Sequence, residues 1–315
     1  SWHAVRAVLL GGWVMIHGWS GLEPARAADP GWFAFDPPPD PFRESPIDLR
    51  YLNERVAGER GRIAVRGDTF IHASTQEPVR FWAVNGPPNG LSGEALRQCA
   101  RRLAKYGVNL VRMHGAVFDK AGGADLKHVA HTQEAVAALK AEGIYSHLSI
   151  YFPLWMTPAS GHPWLKGYDG KTHPFAALMF NPEFQERYRG WWKTLLLTPN
   201  SQGRRLVDEP ALFGVEIQNE DSFFFWTFNP DQIPAAQLEL LETRFGDWLK
   251  VQYGSVEAAR ATWGNTPVKR DAFEAGRVGF RPLWNVFNEK TARDRDTARF
   301  LFETQRAFYA ETVAF

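Results

Sequence analysis

The sequence predicts an α/β fold in which parallel strands alternate with helices, as in a (β/α)8 barrel. Three observations lead to this prediction. From Phe81 onward, short runs rich in Val, Ile and Leu alternate with stretches whose apolar residues recur at helical spacing. Glycines such as Gly107 and Gly143 close the helical stretches. No G-x-G-x-x-G follows the first strand, which disfavours a dinucleotide-binding sheet and favours the barrel.

Composition excludes several classes of protein. Lys and Arg number 36 against 35 Asp and Glu, and a net charge of +1 gives no electrostatic reason to expect a nucleic-acid partner or a polybasic membrane surface. Cys99 is the single cysteine, so an intramolecular disulfide or a Cys-rich metal site is excluded, and we expect no metal or cofactor. The 13 tryptophans suit surfaces that stack on flat, half-apolar ligands.

Residues 1–27 resemble a secretory signal peptide. Arg6 precedes a mostly apolar stretch, residues 7–22, and Ala25-Arg26-Ala27 supplies the small-x-small cleavage pattern. The alternative is a membrane anchor, but the stretch is short for a span of about 20 residues. We therefore expect cleavage after Ala27, no stable membrane span, and a secreted or periplasmic location in the cell envelope.

The elements follow in order along the chain. Residues 28–78 are predicted to form an extended Pro-rich lead-in and then a small β-hairpin with strands 62–65 and 69–71, separated by Gly67-Asp68. Residues 79–315 are predicted to form the barrel part. A β-type run from Val79 leads into its first strand, and Ser92 is a plausible cap for its first helix. Its strands are predicted at 81–85, 108–113, 144–152 and 211–218, and its later helices at 132–141, 183–197, 234–251, 255–263 and 290–313.

The count of strands is half of what a barrel needs. Nothing between Glu220 and Phe315 has the pattern of another core strand, whereas closure takes eight strands. The chain also begins without Met and ends inside a predicted helix. We therefore expect a barrel truncated to about four βα units.

The fourth strand carries the first candidate chemistry. Phe213, Val215 and Ile217 alternate with polar or small residues, which predicts one face toward helices and one toward a barrel interior. Asn219-Glu220 follows at the carboxyl end, where barrel enzymes have their catalytic groups.

Three acidic residues, Glu216, Glu220 and Asp221, occur within six positions there. If close together they raise one another's pKa and yield a proton donor. The alternative is a paired structural charge at Glu216, a loop cap at Glu220 and a solvated Asp221, and spacing alone does not decide.

Three segments resemble the large clan of retaining glycoside hydrolases built on (β/α)8 barrels, which includes family 5 and the family 42 β-galactosidases. Asn219-Glu220 resembles the signature at the end of the clan's fourth strand. The segment 107–114, Gly-Val-Asn-Leu-Val-Arg-Met-His, resembles its second strand, and 245–264 resembles helices of family 42. The resemblance spans roughly residues 79–264.

The resemblance implies a two-step retaining hydrolysis of β-linked glycosides. It makes Glu220 the catalytic acid/base, Asn219 the partner of the sugar 2-hydroxyl, and Arg112 the group that holds an ionised nucleophile. That nucleophile is expected on a seventh strand, about 5–5.5 Å from the acid/base and beyond this chain. Many family 5 enzymes end the third strand in a sugar-lining His, near which this chain has Tyr151. His114 is a comparable donor, or else a satisfied strand-end histidine.

The sequence gives weaker support to the other candidate residues. Trp226, with Trp155 and Trp164, lies in loops that would rim a barrel mouth, where stacking on sugar and core filling are both open. His128 and His131 have helical spacing but lack a third metal ligand, so a solvated helix start is preferred. The alternatives to the enzyme are a secreted non-catalytic carbohydrate-binding protein on a degenerate barrel, and an esterase, for which no G-x-S-x-G appears.

Overall fold

The computed structural model describes residues 40–86, 88–264 and 266–315. The predicted signal peptide, residues 1–27, and residues 28–39 of the predicted lead-in lie outside the described residues. Contacts divide the chain into two units, Ser1–Glu44 and Ser45–Phe315, and every element below belongs to the second. No helix in the described part of the chain is long and apolar enough to cross a membrane.

The predicted hairpin is confirmed. Strands β1 (Ile63–Arg66) and β2 (Thr69–His72) pair antiparallel. Gly67 in the turn has φ 63°, a conformation that costs glycine little. From β2, Phe70 packs edge-on against Phe81 and Phe213, with ring centroids 5.9 and 5.3 Å away. The hairpin thus covers the amino-terminal end of the neighbouring sheet.

That sheet has four parallel strands in the order β3-β4-β5-β6, each next to its neighbour in sequence. The strands are β3 (Ala83–Asn85), β4 (Leu110–His114), β5 (Tyr145–Ser149) and β6 (Leu212–Glu216). The four predicted strands are therefore present, although each is shorter than expected. The coarse prediction of an α/β fold with a parallel sheet and a separate hairpin is confirmed.

Strand β3 has three residues, two fewer than the predicted strand 81–85. The side chain of Asn109 explains the difference. Its Nδ2 donates to the Arg80 carbonyl and its Oδ1 accepts from the Trp82 amide, both at 2.8 Å. A side chain thus satisfies backbone groups that would otherwise extend the ladder.

Helices α1 (Gly93–Lys105), α2 (Leu126–Ala141), the short α3 (Ala177–Phe180) and α4 (Pro182–Leu197) connect these strands. The prediction for α2 began six residues late, at residue 132. Asp125 caps the helix earlier, because its Oδ1 accepts from the amides of Lys127 and His128 at 2.8 and 3.3 Å. The apolar spacing from residue 132 onward does not reveal this cap.

Helices alone follow β6 in the described residues, as the sequence predicts. They are α5 (Ala235–Tyr253), α6 (Val256–Thr262), α7 (Leu283–Asn288) and α8 (Ala292–Ala314). The sequence did not predict α7. Gly246 in α5 is needed for close packing, because a Cβ there would lie 1.9 Å from the carbonyl oxygen of Gly276.

The two faces of the sheet differ at β4 and β5. Val111 and Leu148 are buried against the helices, while Arg112 and Ser149 point to the other face. Strand β6 differs from its prediction, because an irregularity in its pairing with β5 turns Phe213 toward the ring of His147, 5.9 Å away. Val215 is 44% exposed instead of covered by a helix.

Candidate active site

The guanidinium of Arg112, on β4, binds side chains that come from β3 on one side and from β6 and the segment after it on the other. Its Nε and Nη2 donate to the two carboxylate oxygens of Glu216 at 2.7 and 2.6 Å. Its Nη1 donates to Asn85 Oδ1 at 2.7 Å, and Nη2 also donates to Asn219 Oδ1 at 2.8 Å. Hydrogen bonds to a charged group are about twice as strong as neutral ones. We call these residues, with Ser149, the Arg112 cluster.

Strand register explains why these residues meet. Asn85 and Arg112 are paired positions of β3 and β4, and Ser149 and Glu216 are paired positions of β5 and β6. Residues two apart on a strand share a face of the sheet. The register therefore places the Asn85–Arg112 pair and the Ser149–Glu216 pair on the same face. Asn219 joins from the segment after β6, where its amide donates to the Tyr151 carbonyl at 3.3 Å.

Glu216 is held as a carboxylate. Its burial raises the pKa, but hydrogen bonds from Arg112 and Ser149 together with the Arg112 charge outweigh burial and lower the pKa of Glu216 below its ordinary value. Ser149 Oγ donates to Glu216 Oε1 at 2.9 Å. Near neutral pH this group accepts hydrogen bonds and does not deliver a proton.

The pKa of Glu216 is lowered and that of Asp221 is raised, so of these two acids Asp221 alone has the raised pKa that a proton donor needs. Burial is what raises the pKa of Asp221, to about 6, against hydrogen bonds from Thr227, Ala176, Ser222 and Gln218 that lower it. The largest causes of the two pKa shifts are burial and hydrogen bonds, and for Glu216 also the charges of Arg112 and His147.

His114 lies at the edge of the cluster. Its Nδ1 is 2.9 Å from Ser149 Oγ, and since that hydroxyl donates to Glu216, we assign the ring proton to Nδ1. Burial and the positive charge of Arg112 lower the pKa of His114 to about 4, although Glu216 acts in the opposite direction. Near neutral pH the ring is uncharged, with Nε2 as an acceptor. The Trp155 ring packs against it at 4.3 Å.

Asn219 and Glu220 lie three and four residues after the last residue of β6. Because the Asn219 side-chain oxygen accepts from Arg112, its amide nitrogen is the group that can donate to a ligand hydroxyl. Glu220 is exposed and has φ 45°, a left-handed conformation that residues with a Cβ seldom adopt. Such backbone outliers cluster at functional sites.

The remaining predicted site residues lie in different surroundings. Trp226 is 61% exposed, and its ring contacts that of Phe175 at 5.4 Å. Tyr151 is 1% exposed and packs edge-on against Phe184 and Tyr188 in the core. This burial does not favour the substrate-binding role predicted for Tyr151 from its place near the end of the third strand.

His128 and His131 lie on α2 and line a cavity of about 200 Å³ beside the ends of β4 and β5. His128 Nδ1 is 3.0 Å from an oxygen of Asp125, the cap of the same helix. Among the described residues, no group of three or more His, Cys, Asp or Glu side chains is arranged to hold a metal ion.

Asn85 and Ser149 are the members of the cluster that sequence reasoning missed. Each stands at or near the carboxyl end of a predicted strand and on the same face as Arg112. That alternation was the available signal. For Glu216, the alternative interpretation as a paired structural charge agrees with its bonds to Arg112.

A comparison with models of known protein families finds no match, and a comparison with curated proteins finds no relative.

Proposed function

We propose that the four-stranded sheet is the first half of a (β/α)8 barrel and that the barrel is an exported, retaining glycoside hydrolase acting on β-linked oligo- or polysaccharides. The observation that carries the proposal is the hydrogen bond from Arg112 to Asn219 at 2.8 Å. It joins two of the segments on which the resemblance rests, immediately beside Glu220. The sequential order of the parallel strands also supports the barrel.

In this proposal Glu220 is the acid/base. As a carboxylic acid it protonates the glycosidic oxygen, and as a carboxylate it then takes a proton from the water that releases the sugar. Asn219 donates through its amide to the sugar 2-hydroxyl, a bond that strengthens as positive charge develops on the ring. The exposure of Glu220 agrees with this role, because the acid must reach a bound substrate.

Arg112 would bind the nucleophile through few hydrogen bonds, because most of its N–H groups already have acceptors. A guanidinium has five N–H groups, and Glu216, Asn85 and Asn219 accept four of them. Within the described part of the chain, one N–H on Nη1 therefore has no acceptor, and an incoming carboxylate can bind it. Glu216 acts as a positioning residue, since its two oxygens fix the plane and direction of the guanidinium.

The nucleophile is expected on a strand that the described residues do not include. We therefore expect the purified 315-residue chain to hydrolyse no para-nitrophenyl β-glycoside. The matched control is Glu220→Ala, which reveals any contaminating glycosidase. Turnover by the chain above that of the control would overturn the assignment of the nucleophile to another strand.

One observation favours a second function, a non-catalytic carbohydrate-binding protein. Trp226 and Phe225 are 61% and 42% exposed, as rings that stack on sugars are. An experiment on a longer protein that completes the barrel distinguishes the two functions. A hydrolase would turn over the glycoside, whereas a binding protein would bind the sugar without turnover.

A further inference from the structure

Two loops at the carboxyl end of the sheet are joined through one buried carboxylate. Asp221 is 6% exposed. Its Oδ2 accepts from the amide of Ala176 at 2.8 Å and from Nε2 of Gln218 at 2.9 Å, and its Oδ1 accepts from the hydroxyl of Thr227 at 2.7 Å. Ala176 belongs to the loop after β5, and Thr227 to the loop after β6. We call this arrangement the Asp221 clasp.

The clasp holds unusual backbone on both sides. Ala176 has φ 61° and Glu220, the residue before Asp221, has φ 45°. Residues with a Cβ adopt this conformation only where the surrounding structure enforces it. The bond from the Ala176 amide and the location of the Asp221 side chain supply that constraint directly.

The clasp also brings two rings together. Phe175 precedes Ala176 and Trp226 precedes Thr227, and their rings meet edge-on at 5.4 Å with planes inclined at 66°. Trp226 is 61% exposed. The same carboxylate therefore binds the residue after each of the two rings, and it directly follows Glu220 in the chain.

The surroundings shield the clasp from solvent. Thr227 is 2% exposed and Ala176 is fully buried. The nearby hydroxyls of Tyr151 and Tyr168 are buried without a hydrogen-bond partner among the described residues. Burial, and then the charge of Asp221, raise the pKa of both tyrosines. Hydrogen bonds in such low-dielectric surroundings are not weakened by exchange with water.

We propose that Asp221 is a positioning residue that fixes Glu220 relative to the Phe175–Trp226 ring pair, so that a sugar ring stacked on the pair is presented to the acid/base. The roles of Glu220 and Trp226 rest on the proposed function. The geometry of the clasp does not, and it is tested without turnover.

The test uses the 315-residue chain labelled with 5-fluorotryptophan, and the ¹⁹F resonance of Trp226 is identified by its loss in Trp226→Phe. Asp221→Ala and Thr227→Val are expected to shift the Trp226 resonance, because the ring leaves Phe175. The resonance of Trp82, on the run leading into β3, is expected to stay unchanged. Asp221→Asn is expected to restore the native shift, since its amide oxygen still accepts from Ala176 and its NH2 can donate to Thr227.

Asp231→Asn, on a short turn after the same loop, is the control and is expected to leave Trp226 unchanged. A folded Asp221→Ala chain with a native Trp226 resonance would overturn the proposal. If Asp221→Ala does not fold, Thr227→Val decides in the same way. The ¹⁹F result can agree with the Asp221 clasp while a longer protein that completes the barrel turns over no glycoside. In that case the proposed function is wrong, and the geometry of the clasp is still supported.

Discussion

The Arg112–Glu216 pair is predicted to stabilise the sheet, and a double-mutant cycle can measure by how much. The variants are Glu216→Gln, which keeps the shape and removes the charge, Arg112→Met, which keeps the apolar stem, and the double variant. Each variant loses some free energy of unfolding. The coupling energy is the difference between the loss in the double variant and the sum of the losses in the two single variants.

Its expected size follows from burial and geometry. Both side chains are 22% exposed, and two hydrogen bonds of 2.6 and 2.7 Å join them. Exposed pairs contribute about 0.2–1 kcal/mol, whereas removing one partner of a buried pair costs about 3–5 kcal/mol. The pair lies between these limits, so we expect a coupling of about 2 kcal/mol.

The assay is urea unfolding of the chain followed by far-ultraviolet circular dichroism. The exposed helix pair Arg97–Glu94 serves as the control, and its coupling is expected to be several-fold smaller. If the Arg112–Glu216 coupling is no larger than that of the control pair, the cluster does not hold the sheet together and the reasoning is refuted.

Two further predictions concern packing and pH. Gly246→Ala is expected to destabilise the chain by several kcal/mol, because its Cβ would lie 1.9 Å from the Gly276 carbonyl oxygen, whereas Gly190→Ala, on an open helix surface, is expected to stabilise it by up to about 1 kcal/mol. Thermal unfolding compares the two, and equal effects would contradict the packing argument. Since the pKa of Asp221 is about 6 in the folded chain against an ordinary 3.8, its contribution to stability is greatest below pH 3.8 and falls by about 3 kcal/mol as the pH rises to 6. Asp221→Asn is expected to remove this part of the pH dependence of urea unfolding, and an unchanged slope would contradict it.

Local sequence patterns predict the strands of the parallel sheet, but they do not predict the contacts of the candidate site. Strands β4 and β5 begin two or three residues after the glycines that close the preceding helices, and this order is recognisable without tertiary information. The length of β3 depends on Asn109, a residue outside that strand, and the start of α2 depends on the Asp125 cap.

The Arg112 cluster has a different origin. It arises from strand register, which brings Asn85 within 2.7 Å of Arg112 across 27 residues of sequence. Asp221 was assigned to solvent as one alternative, and its burial follows from Ala176 and Thr227, which the sequence did not connect to it. Contacts between distant segments were therefore the part that sequence pattern could not supply.

We propose Glu220 as the acid/base of a retaining glycosidase, and one measurement tests this role most directly. The measurement uses Glu220→Ala in a longer protein that completes the barrel, with a dinitrophenyl β-glycoside as substrate and sodium azide as an added nucleophile. Activity on glycosides with poor leaving groups is expected to fall about 10²–10⁴-fold, while the activated substrate still forms the glycosyl-enzyme. Azide, which needs no general base, is then expected to release a β-glycosyl azide. Equal losses on both substrates, with no glycosyl azide formed, would contradict the claim.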